Sequence, residues 1–206
     1  MPGNTVISIK TGNILSLIIL GLVLQACAAR RGLELPELSD FDTRRSVLES
    51  IDRFEFTGRI GVSAGNEGFN GKLRWWQEAD DFKVTVSGPL GVGTVRIEAD
   101  GQRISLTDKN GDVTEMLDAE QELKMRYGWT IPVTSLRYWA LGIPDPTIEA
   151  TTEFADDGLL SGLEQRGWSV IIGQYRDGGG QPMPGRITAV NDNTKVRLII
   201  DNWSFY

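Results

Sequence analysis

From residue 56 onward, apolar and polar side chains alternate with a period of two along most of the chain, and that alternation spells out a β protein strand by strand. Phe56, Gly58, Ile60 and Val62 alternate with Thr57, Arg59, Gly61 and Ser63 in a first strand that turns at Gly65-Asn66-Glu67-Gly68. In the next strand Phe69, Leu73 and Trp75 share one face and Lys72, Arg74 and Trp76 the other. After the polar turn 78–81, Phe82, Val84 and Val86 oppose Lys83, Thr85 and Ser87. Val95 with Ile97, a turn at Asp100-Gly101, Ile104 with Leu106, the Asn110-Gly111 turn and a strand from Val113 to Leu117 complete an antiparallel meander with one apolar face. Strands resume at 159–165, 168–175, 185–190 and 195–203, with Arg176 to Pro182 read as a loop.

Three stretches carry a helical period instead. Ser39 or Asp40 is expected to cap a helix running to about Phe54, with Val47, Leu48, Ile51 and Phe54 on its apolar side. Asp118 to Tyr127 opens with acids and is stopped by Gly128. Thr134 to Leu141 sets Leu136, Trp139 and Ala140 on one stripe before Gly142 and Pro144. The whole predicts a mainly β (α+β) domain over 39–206, with about ten or eleven strands and about three helices. A sheet of that size curls or closes, since open twisted sheets seldom exceed about ten strands.

Two stretches break the pattern. The turn Gly88-Pro89-Leu90-Gly91 carries an apolar residue at its tip, and Leu90 there either folds back onto the core or touches lipid. Ile14 to Leu24 is an uninterrupted apolar run preceded by Lys10, about half as long as the roughly twenty residues a spanning helix needs, so it reads as the h-region of a secretory signal.

Charge and composition narrow the function. Without residues 1–26 the chain holds 20 basic and 28 acidic residues, a formal charge of −8, which argues against nucleic acid and against a basic patch for anionic headgroups. The absence of His excludes Ser-His-Asp and Cys-His constellations and His metal sites. Gly178-Gly179-Gly180 lacks the Lys-Ser/Thr of a phosphate loop. The adjacent acids Asp80 and Asp81 look like a solvated hairpin turn, so no enzyme, cofactor or metal is expected.

Leu24-Gln25-Ala26-Cys27 resembles a bacterial lipobox, with Gln25 standing where a small or aliphatic residue is usual. The resemblance implies removal of 1–26 and acylation of Cys27, and the stretch 27–38, aperiodic from Ala28 to Pro36, reads as a tether. Ala28, in place of the Asp that signals inner-membrane retention, points to the outer membrane, at its periplasmic face. A wider set of residues is similar to the outer-membrane lipoprotein receptor LolB family. It comprises Gly58-Arg59-Ile60, Gly71 with Leu73, Trp75 and Gln77, Gly88-Pro89-Leu90-Gly91, 128–133 with Leu136 and Tyr138-Trp139, Gln165 with Gly167-Trp168, Met183-Pro184 and Asn202-Trp203.

That resemblance implies an incomplete antiparallel barrel with a helical lid over an apolar cavity. The cavity would take the acyl chains of a lipoprotein from the periplasmic carrier LolA, and the protein, acting as a monomer, would release its cargo into outer-membrane lipid. Leu90, between Pro89 and Gly91, occupies the place of the family's protruding membrane-insertion residue. The apolar face and stripe nominate Leu73, Trp75, Val84, Val95, Leu136 and Trp139 as residues touching acyl chains. Any of the six Trp could equally be core. The rival reading is a tethered scaffold domain with a filled core and no lipid transfer.

Overall fold

The period-two alternation is realised as strands that pair with their sequence neighbours, in a computed structural model that describes residues 34, 35, 38, 40–88, 93–101 and 103–206. A helix α1 (Phe41–Glu49) precedes the strands β1 (Arg53–Ala64), β2 (Glu67–Glu78), β3 (Asp81–Ser87), β4 (Val95–Asp100), β5 (Arg103–Thr107) and β6 (Val113–Met116). Helices α2 (Ala119–Tyr127) and α3 (Val133–Leu141) follow. The chain then forms β7 (Thr151–Phe154), β8 (Leu160–Gln165), β9 (Trp168–Gly173), β10 (Arg176–Asp177), β11 (Pro182–Met183), β12 (Arg186–Val190) and β13 (Lys195–Phe205). Eleven strands make one antiparallel sheet in the order β6-β5-β4-β3-β2-β1-β13-β12-β9-β8-β7, with β10 and β11 as a separate ribbon. Two meanders are thus joined where the first strand pairs with the last, and the outer strands β6 and β7 do not pair to close a barrel.

The sheet bends over one apolar face. At the central seam Thr57 pairs with Asn202 and Gly58 with Ile200, so Asp201 is skipped and the ladder bulges. A Cβ on Gly58 would stand 2.0 Å from the Ile199 carbonyl oxygen, which is why this position carries glycine. Across the seam runs a line of rings: Trp203 against Phe56 (4.9 Å between centroids), Phe56 against Trp75 (5.6 Å) and Trp75 against Phe82 (5.8 Å). These cross-strand pairs hold β13, β1, β2 and β3 together on the concave side.

The helix ends follow local chemistry. Asp40 caps α1 by accepting from the Thr43 N–H (2.9 Å), and Asp118 caps α2 by accepting from Glu120 and Gln121. Gly128 and Gly142 end α2 and α3 in the left-handed conformation. Helix α1 stops at Glu49, short of the expected end at Phe54, because Phe54 belongs to the next element. It pairs with Phe205 and Gln77 in β1 and is buried beside Phe56. Two Phe on one sheet face, paired on both sides, outweigh a longer helical stripe. Strand β7 has the sequence TTEF, with no alternation to announce it, and 176–182 forms the β10–β11 ribbon where a loop was expected. Arg44 of α1 is buried on that ribbon and donates to Gln181 Oε1 (3.3 Å) and to the Pro182 carbonyl. Burial, without a carboxylate beside it, lowers its pKa.

The hydrophobic core, from Leu35 to Phe205, lies within the compact unit Leu33–Tyr206.

Candidate functional site

The two halves of the concave face are used differently. Over β8 and β9 the space is filled: Trp139 of α3 is fully buried against Trp168, and its Nε1–H donates to Gln165 Oε1 (2.9 Å). Gln165 also accepts from the Asp145 N–H and donates to the carbonyls of Asp145 and Ile148, so one buried amide ties β8, α3 and the segment after α3 together.

Over β1–β4 the space is not filled. A cavity of about 240 Å³ lies between the sheet and the segment running from α2 to α3. Its sheet wall is made by Ile60 of β1, Leu73 and Trp75 of β2, Val84 and Val86 of β3, and Val95 and Ile97 of β4. Its roof is Leu123 and Tyr127 of α2, Trp129 and Ile131 of the connection, and Val133 and Leu136 of α3. Phe69, Asn70, Gly88 and Gly93 complete the lining, and Asn70 is the polar side chain among them. From Phe69 to Trp75 the cavity follows β2 for about 20 Å at the usual strand rise. At one end Trp75 stands in the ring line between Phe56 and Phe82. At the other, Phe69 stacks on Trp129 (4.7 Å), and Trp129 on Tyr127 (5.2 Å).

Of the residues nominated from sequence, Leu73, Trp75, Val84, Val95 and Leu136 share this cavity. Trp139 does not line it. A stripe on α3 wide enough to hold Leu136 and Trp139 presents them to different halves of the sheet, and the buried acceptor Gln165 holds the indole in the filled half. Cys27, Pro89, Leu90 and Gly91 lie outside the described residues. Gly88 and Gly93, on either side of residues 89–92 in the sequence, are both in the cavity lining. Most of the roof was missed. Trp129, Ile131 and Val133 alternate with period two after Gly128, a signal that could have flagged an extended apolar segment leading into α3.

Polar contacts pin the roof to the sheet outside the cavity. Arg166, in the β8–β9 turn, donates to both Glu120 carboxylate oxygens (3.1 and 3.2 Å) and to Ser135 Oγ (3.2 Å). Ser135 in turn donates to Asp145 Oδ2 (2.7 Å). Burial raises the Glu120 carboxyl above its ordinary value, and Arg166 offsets part of that. Burial also pushes Asp145 up, but hydrogen bonds from Thr147 and Ser135 outweigh it and leave the carboxyl below its ordinary value. Arg137 of α3 also donates to the Ala79 carbonyl (3.2 Å) at the β2–β3 turn.

The family model described as Outer membrane lipoprotein LolB matches residues 52–203, a span that contains the whole cavity wall and roof. The chain belongs to the LolB family. It is 32% identical over 193 residues to the outer-membrane lipoprotein LolB of Nitrosococcus oceani, covering 92% of this chain and 96% of that one. It is 30% identical over 185 residues to LolB of Cellvibrio japonicus, covering 87% and 90%. Among solved structures it is similar in fold to a LolA superfamily protein from Nitrosomonas europaea, with a TM-score of 0.52 at 9% identity over 79% of this chain and 93% of that one. The LolB family is one of outer-membrane lipoproteins, and this chain, as a member, is placed at that membrane. Its fold, an unclosed eleven-stranded antiparallel sheet with helices over the concave side, is LolA-like.

Proposed function

We propose that the protein receives lipoproteins by taking their acyl chains into the cavity over β1–β4, accepting them from the periplasmic carrier LolA, and then inserts them into the outer membrane. The observation that carries this reading is the apolar cavity over β1–β4 in a domain of the LolB family. Burying a methylene is worth about 0.8 kcal/mol, so an apolar wall holds a chain without a single specific contact and no catalyst is called for. The volume also limits what enters with the roof as it stands. A cavity of about 150 Å³ accepts one benzene ring, so 240 Å³ accommodates only part of one long acyl chain. A longer stretch of chain is enclosed if the α2–α3 roof lifts, with the stacked Phe69, Trp129 and Tyr127 as the contacts to part.

The test is competition. A fluorescent fatty-acid probe should bind the 33–206 unit and be displaced by a triacylated lipopeptide but not by the same peptide without its chains. Binding of no probe, or equal displacement by both peptides, leaves the scaffold reading in its place.

Cys27 is proposed as the acylated first residue of the mature protein, on the strength of Lys10, the short apolar run and Leu24-Gln25-Ala26-Cys27. Mass spectrometry of the protein extracted from outer membranes is expected to show a lipid-modified Cys27 at the N-terminus. A chain that keeps residues 1–26, or a free Cys27 thiol, contradicts it.

A further inference from the structure

The outward face of the sheet carries both signs of charge, but they are separated along the strands. Register runs one row of side chains from Arg186 through Ile199, Arg59 and Lys72 to Ser87. Arg197 lies on one side of that row, opposite Gly61 and Thr188; Arg74 and Arg96 lie on the other, in a row with Thr57 and Thr85. These six cations cross β12, β13, β1, β2, β3 and β4, about 24 Å at the usual spacing of strands. Five of them are exposed and Arg96 is half-buried. Asp201, in the bulge, pairs with Arg59 (2.9 Å), and Glu55, one row further along, pairs with Arg74 (3.3 Å). Lys72, Arg96, Arg186 and Arg197 form no ion pair among the described residues. Toward the other end of the same strands the balance reverses, and Glu55, Glu78, Asp81, Glu98 and Asp100 outnumber Arg53, Lys83 and Arg103. The turns beyond the basic end carry Lys109 and Lys195 alongside Glu67, Asp108, Asp112 and Asp192, so the cationic excess belongs to the strand face itself. Net charge, which spoke against a basic patch, is blind to this sorting. Like charges directly opposite across a strand pair, as Arg59 and Lys72 are, destabilise a sheet. A chain rich in acids nevertheless leaves them there.

We propose that this basic half of the outward face rests on the anionic phospholipid headgroups of the outer membrane, and so sets the tilt of the domain on that surface. The cations are spread over a face and gather round no pocket, which suits a plane of phosphates better than one soluble anion. Five of the six are Arg, whose planar fork matches phosphate oxygens. The acidic half is repelled by the same surface, so only one orientation is favoured. Strand β3 leaves the basic rows at Ser87, opposite Lys72, and the sequence runs on through Gly88 to the apolar turn that holds Leu90. The proposal needs the placement of this family at the outer membrane and stands apart from the acyl-binding reading.

The test uses chain 27–206, made without acylation so that no anchor masks the contact, on vesicles of phosphatidylethanolamine alone and with added phosphatidylglycerol. The wild-type sequence is expected to prefer the second and to be released by salt. Lys72→Gln, Arg186→Gln and Arg197→Gln combined, which break no ion pair, should lower that binding by about fivefold per cation removed, with the melting curve unchanged. Arg53→Gln, Lys83→Gln and Arg103→Gln combined remove the same charge from the acidic half and should leave binding within about twofold. A readout on the wild-type chain stands even if the first variant fails to fold: phosphatidylglycerol vesicles should slow acetylation of Lys72, read by mass spectrometry, and leave that of Lys83 at its rate in solution. Equal binding to both vesicles, equal losses in the two variants, or equal protection of both Lys overturns the proposal and leaves the acyl-binding reading untouched. Normal vesicle binding by the first variant, with loss of cargo transfer from the carrier, also overturns it and assigns the face to an acidic protein.

Discussion

Replacing Val95 with Trp is expected to weaken acyl binding by about fiftyfold while leaving the domain folded. Val95 is half-buried at the start of β4, opposite Val86, and its side chain lines the empty part of the concave face. A larger side chain in a filled core costs about 1 to 3 kcal/mol through displaced neighbours, but here it grows into 240 Å³ that nothing occupies. Thermal stability should therefore hold or rise slightly. If the indole takes the room of about three methylenes, the lost burial is about 2.4 kcal/mol, which gives the fiftyfold figure. Lys83→Trp on the opposite, exposed face is the control and should change nothing. The readout is probe affinity alongside the melting curve. Retention of affinity in a folded Val95→Trp protein would mean that acyl chains bind somewhere other than this cavity.

The cavity wall was legible in the sequence because it is made by strands. Leu73, Trp75, Val84 and Val95 alternate with Lys72, Arg74, Lys83 and other polar neighbours, and period two fixes which of them share a face once the hairpins are in register. The long meander and the need for so large a sheet to bend followed from the same pattern. The roof was less legible, since a helical stripe gives direction only within its own helix. Leu136 and Trp139 share a stripe, yet one covers the cavity and the other the filled half. Gln165, 26 residues away in sequence, makes the difference by holding the Trp139 indole.

What local pattern could not supply was competition between elements. Phe54 fits the helical period of 47–54 and also the strand period of 54–62, and pairing with Phe205, at the other end of the chain, decides for the strand. Strand β7 has a single large apolar residue, Phe154, which packs edge-on against Phe41 of α1 (4.7 Å). Nothing in TTEF alone announces that. Whether the concave face is filled or empty is also beyond alternation. The same apolar face serves either outcome, and the answer depends on which side chains α3 and the 143–185 segment bring over it.

Leu90→Glu is expected to separate the two steps of the proposed cycle, leaving uptake of cargo from the carrier intact while slowing delivery into membranes by about ten- to a hundredfold. The motive is the sequence 88–91, where Pro89 restricts φ to near −65° and Gly91 permits a tight reversal, so the tip loses little further entropy when it meets a partner. Gly88 and Gly93, which flank residues 89–92 in sequence, belong to the cavity lining. Burying one Leu is worth about 1.5 to 3 kcal/mol. That is too little to anchor a protein already tethered by lipid, but enough to favour a brief contact at the moment of release. A carboxylate at the tip loses that gain and resists entry into the acyl region. Phe or Ile at position 90 should preserve delivery, since only apolar area is asked of it. The measurement scores cargo transfer from the carrier and its later appearance in liposomes separately. Equal losses of uptake and delivery in Leu90→Glu, or a lowered melting temperature, would make Leu90 an ordinary core or cavity residue. Delivery at the wild-type rate would remove the tip from the mechanism and leave release to the opening of the roof.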